Sequence, residues 1–174
     1  MTAKHEILNA MYTAAGKPGA KGNCYLNAIS LAAIMLERGR RPILNAGTSY
    51  WRRSHKDEDD NWAGYKWTDT GDPAFLNHMV VHTKLTGVLP EIHVWLVDRD
   101  SCVLIDPSTG DWPEVFATPP WDPSLIPPVP YISPIDSMSP HCVYSASREA
   151  IQFVFALLTT SEARLADRLL KAGL

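Results

Sequence analysis

Glu91-Ile92-His93-Val94-Trp95-Leu96-Val97-Asp98 and Cys102-Val103-Leu104-Ile105-Asp106-Pro107 are rich in Val, Ile, Leu and Trp, and a short polar link separates them. They read as the two strands of an antiparallel hairpin. With Arg99 and Asp100 at the turn centre, Asp98 faces Ser101 and the register places His93 directly opposite Asp106. A loop over 98–101 keeps that register, whereas a one-residue bulge would break it. His93, Trp95, Leu104 and Asp106 then share one face. Val94, Leu96, Val103 and Ile105 point the other way, into a core. A carboxylate beside an imidazole fixes its tautomer and raises its basicity. Taken alone, the pair reads equally well as a satisfied histidine and an aspartate that caps the turn before Pro107.

Outward from the hairpin, residues 24–38 are apolar on nearly every side (Tyr25, Leu26, Ala28, Ile29, Leu31 through Leu36), the pattern of a buried helix. Gly22 and Asn23 stand where a cap belongs, and Gly39 follows the last helical residue. Residues 42–51 read as a strand with a poor fit around Gly47. Residues 75–85 are open between a short helix and a strand. Residues 147–160 and 161–172 are amphipathic helices, each opened by a serine suited to capping. Helix, strands, helices in that order predict an α+β fold: a buried N-terminal helix packed on a small antiparallel sheet, with C-terminal helices over 147–172.

The 174 residues (19.3 kDa) are the size of one domain, taken as 1–174, with about 70% of the extended chain's surface buried. Apolar residues at 45% and charged residues at 20% are ordinary for a globular protein. A net charge of −3 gives no attraction for a polyanion, so no nucleic-acid partner is expected. No apolar run approaches the roughly 20 residues of a membrane span, and no secretory signal is visible. Three widely spaced cysteines do not make a disulfide framework, so a reducing, cytoplasmic compartment is expected.

Two segments depart from the average. Residues 51–72 hold Arg52, Arg53, Lys56, Asp57, Glu58, Asp59 and Asp60 and then Trp62, Tyr65 and Trp67, without helical or strand period. They read as a charged loop, either a solvated excursion or a flap whose aromatics cover a site. Residues 107–140 hold ten of the fourteen prolines, which excludes a long helix or a central strand there. This segment is expected to wrap the surface and pack Trp112, Phe116, Trp121 and Tyr131 onto the body.

Chemistry concentrates at Gly22-Asn23-Cys24-Tyr25-Leu26-Asn27-Ala28. Cys24 falls in the first turn of the predicted helix, where free backbone N–H groups and the dipole favour a thiolate, the nucleophilic form of cysteine. The same N–H groups are donors for an oxyanion. The bland alternative is a small buried hydrophobe. Other constellations are weaker. His78 and His82 are spaced i, i+4, but Met79 stands where a metalloprotease helix carries its glutamate, so no metal is expected. Nucleotide-binding glycine motifs are missing. His141-Cys142 are neighbours in an extended segment and point to opposite faces, Cys102 sits beside the hairpin turn, and the run Asp57 to Asp60 lacks calcium-loop spacing.

Gly-Asn-Cys at a buried helix start, His-x-Trp on a strand and Ile-Asp-Pro-Ser-Thr-Gly on the next resemble the transglutaminase-like branch of the papain-like cysteine enzymes. The resemblance covers roughly residues 20–112. It implies a papain-like fold and a Cys-His-Asp triad, with Cys24 as nucleophile, His93 as base and Asp106 as its orienting group. Ser108 departs from the family's more frequent threonine. There is also no glutamine shortly before Cys24, where papain-like proteases hold an oxyanion donor. The second donor therefore stays open among Asn23, Asn27 and Trp51. Tyr25 and Trp95 complete the set of oxyanion or substrate-binding candidates, Trp95 reading first as core packing. The implied function is thioester acyl chemistry without a cofactor, foremost hydrolysis of an amide or ester in a peptide or protein (protease, amidase or deamidase). Transfer of the acyl group to an amine, as in a transglutaminase, is the first alternative. The second is a non-catalytic module that holds a peptide or ligand in a cleft of Trp51, Trp62, Trp67 and Trp95.

Overall fold

The structure, a computed structural model, describes residues 24–56 and 61–173, apart from the side chains of 160 and 161. The expected cap residues Gly22 and Asn23 and the acidic run 57–60 lie outside the described residues. The described chain is α+β. In order it forms α1 (Cys24–Glu37), β1 (Pro42–Arg52), β2 (Trp62–Tyr65), α2 (Pro73–Thr86), β3 (His93–Asp98), β4 (Val103–Asp106), α3 (Trp112–Val115), β5 (Tyr131–Pro134), β6 (Cys142–Ala146), α4 (Arg148–Ser161) and α5 (Ala163–Gly173).

The strands make one antiparallel sheet in the order β2-β1-β3-β4-β5, with β6 also pairing β1. β1 organises it. Its first half, Pro42 to Gly47, runs along β3. Its second half takes β2 on one edge and β6 on the other, so Ser49 stands between Tyr65 and Tyr144. Gly47 is the junction, paired with both His93 and Ala146. Its φ of +152° and the Ser145 carbonyl against its Cα leave no room for a Cβ. This is the physical reason for the poor strand fit seen there in the sequence.

The sheet has two covered faces. Leu44, Ala46, Val94, Leu96 and Ile105 pack under α1, α4 and α5 with Ala28, Leu31, Met35, Phe153, Leu158 and Leu169. The alternate residues Trp51, Trp95 and Leu104 point the other way and join Trp112, Tyr131 and Cys142 in a second, aromatic core. The proline-rich segment supplies that second layer: Trp112 and Tyr131 are buried in it, and Phe116 and Trp121 pack against it. As its prolines require, the segment's one strand, β5, lies at a sheet end next to β4 alone.

Several local expectations are corrected. The hairpin loop is Arg99 to Cys102, closed by Asp98 opposite Val103, with Cys102 at φ +52°. The register is therefore two residues from the expected one, and the ladder runs toward Trp95 rather than His93 opposite Asp106. An even shift leaves every side chain on its expected face. Residues 51–72 are not a long loop: β1 continues to Arg52 and β2 returns beside it. Gly64 permits this approach, since a Cβ there would strike Tyr50 and the Ser49 carbonyl. Residues 75–85 are helical. Asp72 accepts a hydrogen bond from the Ala74 N–H at 2.9 Å, Pro73 opens the first turn, and Gly87 closes α2 at φ +72°. Ser147 caps α4 as expected, accepting from the Ala150 N–H at 3.1 Å. Ser161, by contrast, is the last residue of α4 and does not open α5.

Candidate functional site

The register across β1 assembles the site. Tyr65, Ser49 and Tyr144 lie in one row across three strands, and His93 enters the sheet beside that row opposite Gly47. His93 and Asp106 are fully buried, and the imidazole Nε2–H donates to Asp106 Oδ2 at 2.6 Å. The two-residue register shift makes them diagonal rather than direct neighbours, a separation that long side chains on one face still span. Asp106 Oδ1 accepts from the Ser108 N–H at 2.9 Å, and Oδ2 also accepts from the Tyr144 hydroxyl at 2.6 Å. One carboxylate thus receives three donors.

Rings enclose the imidazole. Tyr65 is stacked on it at 5.4 Å and 8°, Trp112 meets it edge-on at 5.2 Å, and Trp95 lies at 6.1 Å. Burial acts first on His93 and disfavours its charged form, but the Asp106 charge and hydrogen bond, helped by the neighbouring Cys24, raise its pKa to about 10. Its other nitrogen, Nδ1, is buried with no hydrogen-bond partner among the described residues. Burial also pushes Tyr65 up to about 12, with Cys24 the next contributor, so its phenol stays protonated at neutral pH.

Cys24 is the first residue of α1 and is buried. α1 packs on β3 near where that strand begins, and the Cys24 thiol donates to the Ile92 carbonyl at 3.6 Å, one residue before His93. The α1 C-terminus is stopped by Gly39 at φ +74°, with Arg40 N–H returning to the Met35 carbonyl at 2.9 Å. Three residues from distant parts of the sequence therefore meet: a thiol at a helix start, an imidazole and a buried carboxylate.

No family model, curated protein or solved structure matches this chain.

The remaining candidates divide. Asn27, one helical turn after Cys24, donates its amide to Ser108 Oγ at 3.4 Å and so ties α1 to the turn that holds Asp106. Tyr25 is half-buried beside Cys24 on α1 and packs against the helical core. Asn23 lies outside the described residues. Trp51 is not available as an oxyanion donor, because its single N–H is directed to the Tyr144 oxygen at 3.3 Å and its ring is buried against Tyr131. Trp95 is core, as its first reading has it. The four indoles of the supposed ligand cleft do not line one space. Trp51 and Trp95 share the aromatic core, Trp67 packs on Phe153 on the helical side, and Trp62 is exposed. Of the aromatics in 51–72, Tyr65 is the one stacked on the imidazole.

Cys142 is buried in the aromatic core, where its thiol donates to Tyr131 Oη at 3.5 Å and burial raises its pKa. His78 and His82 are exposed on α2, and among the described residues no group of three or more His, Cys, Asp or Glu is placed to hold a metal. Among those residues, too, no helix is long and apolar enough to cross a membrane. The residue that sequence reasoning missed is Tyr144. Nothing local marks it: it reaches Asp106 through the pairing of β6 with the far half of β1.

Proposed function

We propose that this protein is a cysteine-dependent acyl-transfer enzyme of papain-like, transglutaminase-like architecture. Cys24 is its nucleophile, His93 its base and Asp106 the group that orients His93. One observation carries the reading: a fully buried imidazole gives one nitrogen to a carboxylate and has no hydrogen-bond partner among the described residues for the other, while Cys24 at the start of α1 acts on the same ring. A structural histidine–aspartate pair has no use for that third group.

In the reaction, the Cys24 proton already resides on His93 as a thiolate–imidazolium pair, and the sulfur attacks the carbonyl carbon of an amide or ester. The oxyanion faces the backbone N–H groups of the first turn of α1. Collapse breaks the bond to the amine or alcohol, which leaves with the proton from His93, and a thioester remains on Cys24. Water, deprotonated by His93, then splits the thioester into a carboxylic acid and the thiol. An amine in place of water yields a new amide, which is the transglutaminase outcome. We assign hydrolysis of a peptide or protein amide as the principal reaction, with no cofactor in any step.

A small activated ester tests this. With p-nitrophenyl acetate the protein should release a burst of p-nitrophenolate close to its own molar concentration, and the acetyl group should map to the Cys24 peptide. Cys24→Ala should remove burst and adduct. A burst unchanged in that variant, or no burst and no adduct in the wild type, overturns the assignment and leaves the non-catalytic module.

A further inference from the structure

We propose that Tyr144 is a positioning residue that sets the proton balance of the His93–Asp106 pair, fixing the carboxylate and limiting its pull on the imidazole. The proposal rests on the triad reading above and adds a fourth group to it.

The geometry is specific. The Tyr144 hydroxyl donates at 2.6 Å to Asp106 Oδ2, the same oxygen that receives His93 Nε2–H at 2.6 Å. Trp51 Nε1–H donates to the Tyr144 oxygen at 3.3 Å, which directs the hydroxyl proton toward Asp106 and strengthens it as a donor. Hydrogen bonds from Trp51 through Tyr144 on one side and from His93 on the other thus converge on Asp106 Oδ2. The four residues come from β1, β6, β4 and β3, and the His93 nitrogen engaged is the one opposite Nδ1. Each donor to a carboxylate withdraws part of its charge from the others, so Tyr144 weakens Asp106 as a partner for the imidazolium. An imidazole held too tightly as a cation is a poor acid for a leaving amine, because the best catalytic proton affinity lies near the operating pH.

The groups that face this pair from the surrounding elements are few. Cys24 on α1 and Tyr65 on β2 act on or stack against His93. Cys142 on β6 lies near Tyr144, and Asp111 and Glu91 act on the pair's surroundings through Tyr65. Burial first, and then the Asp106 charge, hold the Tyr144 phenol well above its ordinary pKa. It therefore remains a neutral donor throughout the working range of a cysteine enzyme.

Tyr144→Phe removes the hydroxyl and keeps the ring. Asp106 then turns more of its charge on His93, and the pH at which the imidazole loses its proton, followed by NMR of the ring nitrogens, rises by about one unit. Ester turnover falls about tenfold in kcat with KM nearly constant, while Cys24 still acquires the acetyl adduct. A folded variant whose His93 titration and kcat match the wild type overturns the proposal and leaves the triad intact. A wild-type protein without the Cys24 adduct overturns the triad reading itself, so the two failures are distinct. Site-specific replacement of Tyr144 alone by 3-fluorotyrosine keeps the hydroxyl and strengthens the phenol as a donor, which covers the case in which the phenylalanine variant does not fold. There the His93 titration should move to lower pH, and an unmoved titration overturns the proposal.

Discussion

Replacing Asp106 with asparagine removes the charge that holds His93 while keeping the shape of the side chain and one acceptor oxygen. His93 is fully buried and its Nε2–H lies 2.6 Å from Asp106 Oδ2, so no solvent compensates for the loss. Breaking a buried ion pair from one side costs about 3–5 kcal/mol. The rise from the ordinary 6.5 to about 10 leads to a similar figure, roughly 5 kcal/mol at 1.36 kcal/mol per pH unit. For a chain of this length that is a fall of about 10 °C in Tm. The sign with pH is fixed. A histidine with a raised folded-state pKa contributes its stability in full below the unfolded value of 6.5 and loses it as pH rises through about 10. In Asp106→Asn burial alone acts on His93, and it favours the neutral ring. The stability gap between wild type and variant should therefore be widest near pH 6 and close toward pH 10. Urea unfolding at a series of pH values measures it. A gap that stays constant across this range, or that widens with pH, refutes the reasoning.

Gly47→Ala should cost about 2–4 kcal/mol in urea unfolding, since its Cβ meets the Ser145 carbonyl and lies 2.9 Å from the Ser147 nitrogen at a φ of +152°. A change below about 0.5 kcal/mol would show that the β1–β6 junction tolerates a side chain. Cys24→Ala, which removes one sulfur from the start of α1, should shift stability by less than about 1 kcal/mol in the same assay. Loss of folding in that variant would make Cys24 a structural residue.

The two faces of the β3–β4 hairpin were legible because a strand's side chains alternate with period two. The loop from Arg99 to Cys102 contains no glycine to announce its position, and Cys102 takes a positive φ, so the register read from sequence differs by two residues. That is the one class of error that leaves faces unchanged, and His93 and Asp106 still meet. β2 was hidden because its Trp-Ala-Gly-Tyr reads as a turn. Gly64 is there for close approach to β1 and not for a bend. α2 was undecided because it buries Val80 and Thr83 and leaves most of its apolar residues in solvent, although Asp72-Pro73 and Gly87 mark both ends. The apolar run after Cys24 marks α1 from local signals alone, whereas the expected cap at Gly22 and Asn23 lies outside the described residues. The contact of Tyr144 with Asp106 is not legible, because it arises from sheet pairing between segments far apart in sequence. Tyr65 is marked in the sequence only as one of three aromatics of a flap over a site, and its stacking on the imidazole comes from the pairing of β2 with β1.

The most direct test of the triad is the order in which the three cysteines react. Cys102 is exposed, whereas Cys24 and Cys142 are buried. Accessibility alone therefore makes Cys102 the first target of iodoacetamide. Thiol activation by His93 reverses that order at mildly acidic pH, where an ordinary thiol with a pKa of about 8.5 is almost entirely protonated. After brief labelling at about pH 6, peptide mass spectrometry should find the carbamidomethyl group on Cys24, and Asp106→Asn should lower that labelling sharply. An adduct on Cys102 with Cys24 unmodified would contradict the triad.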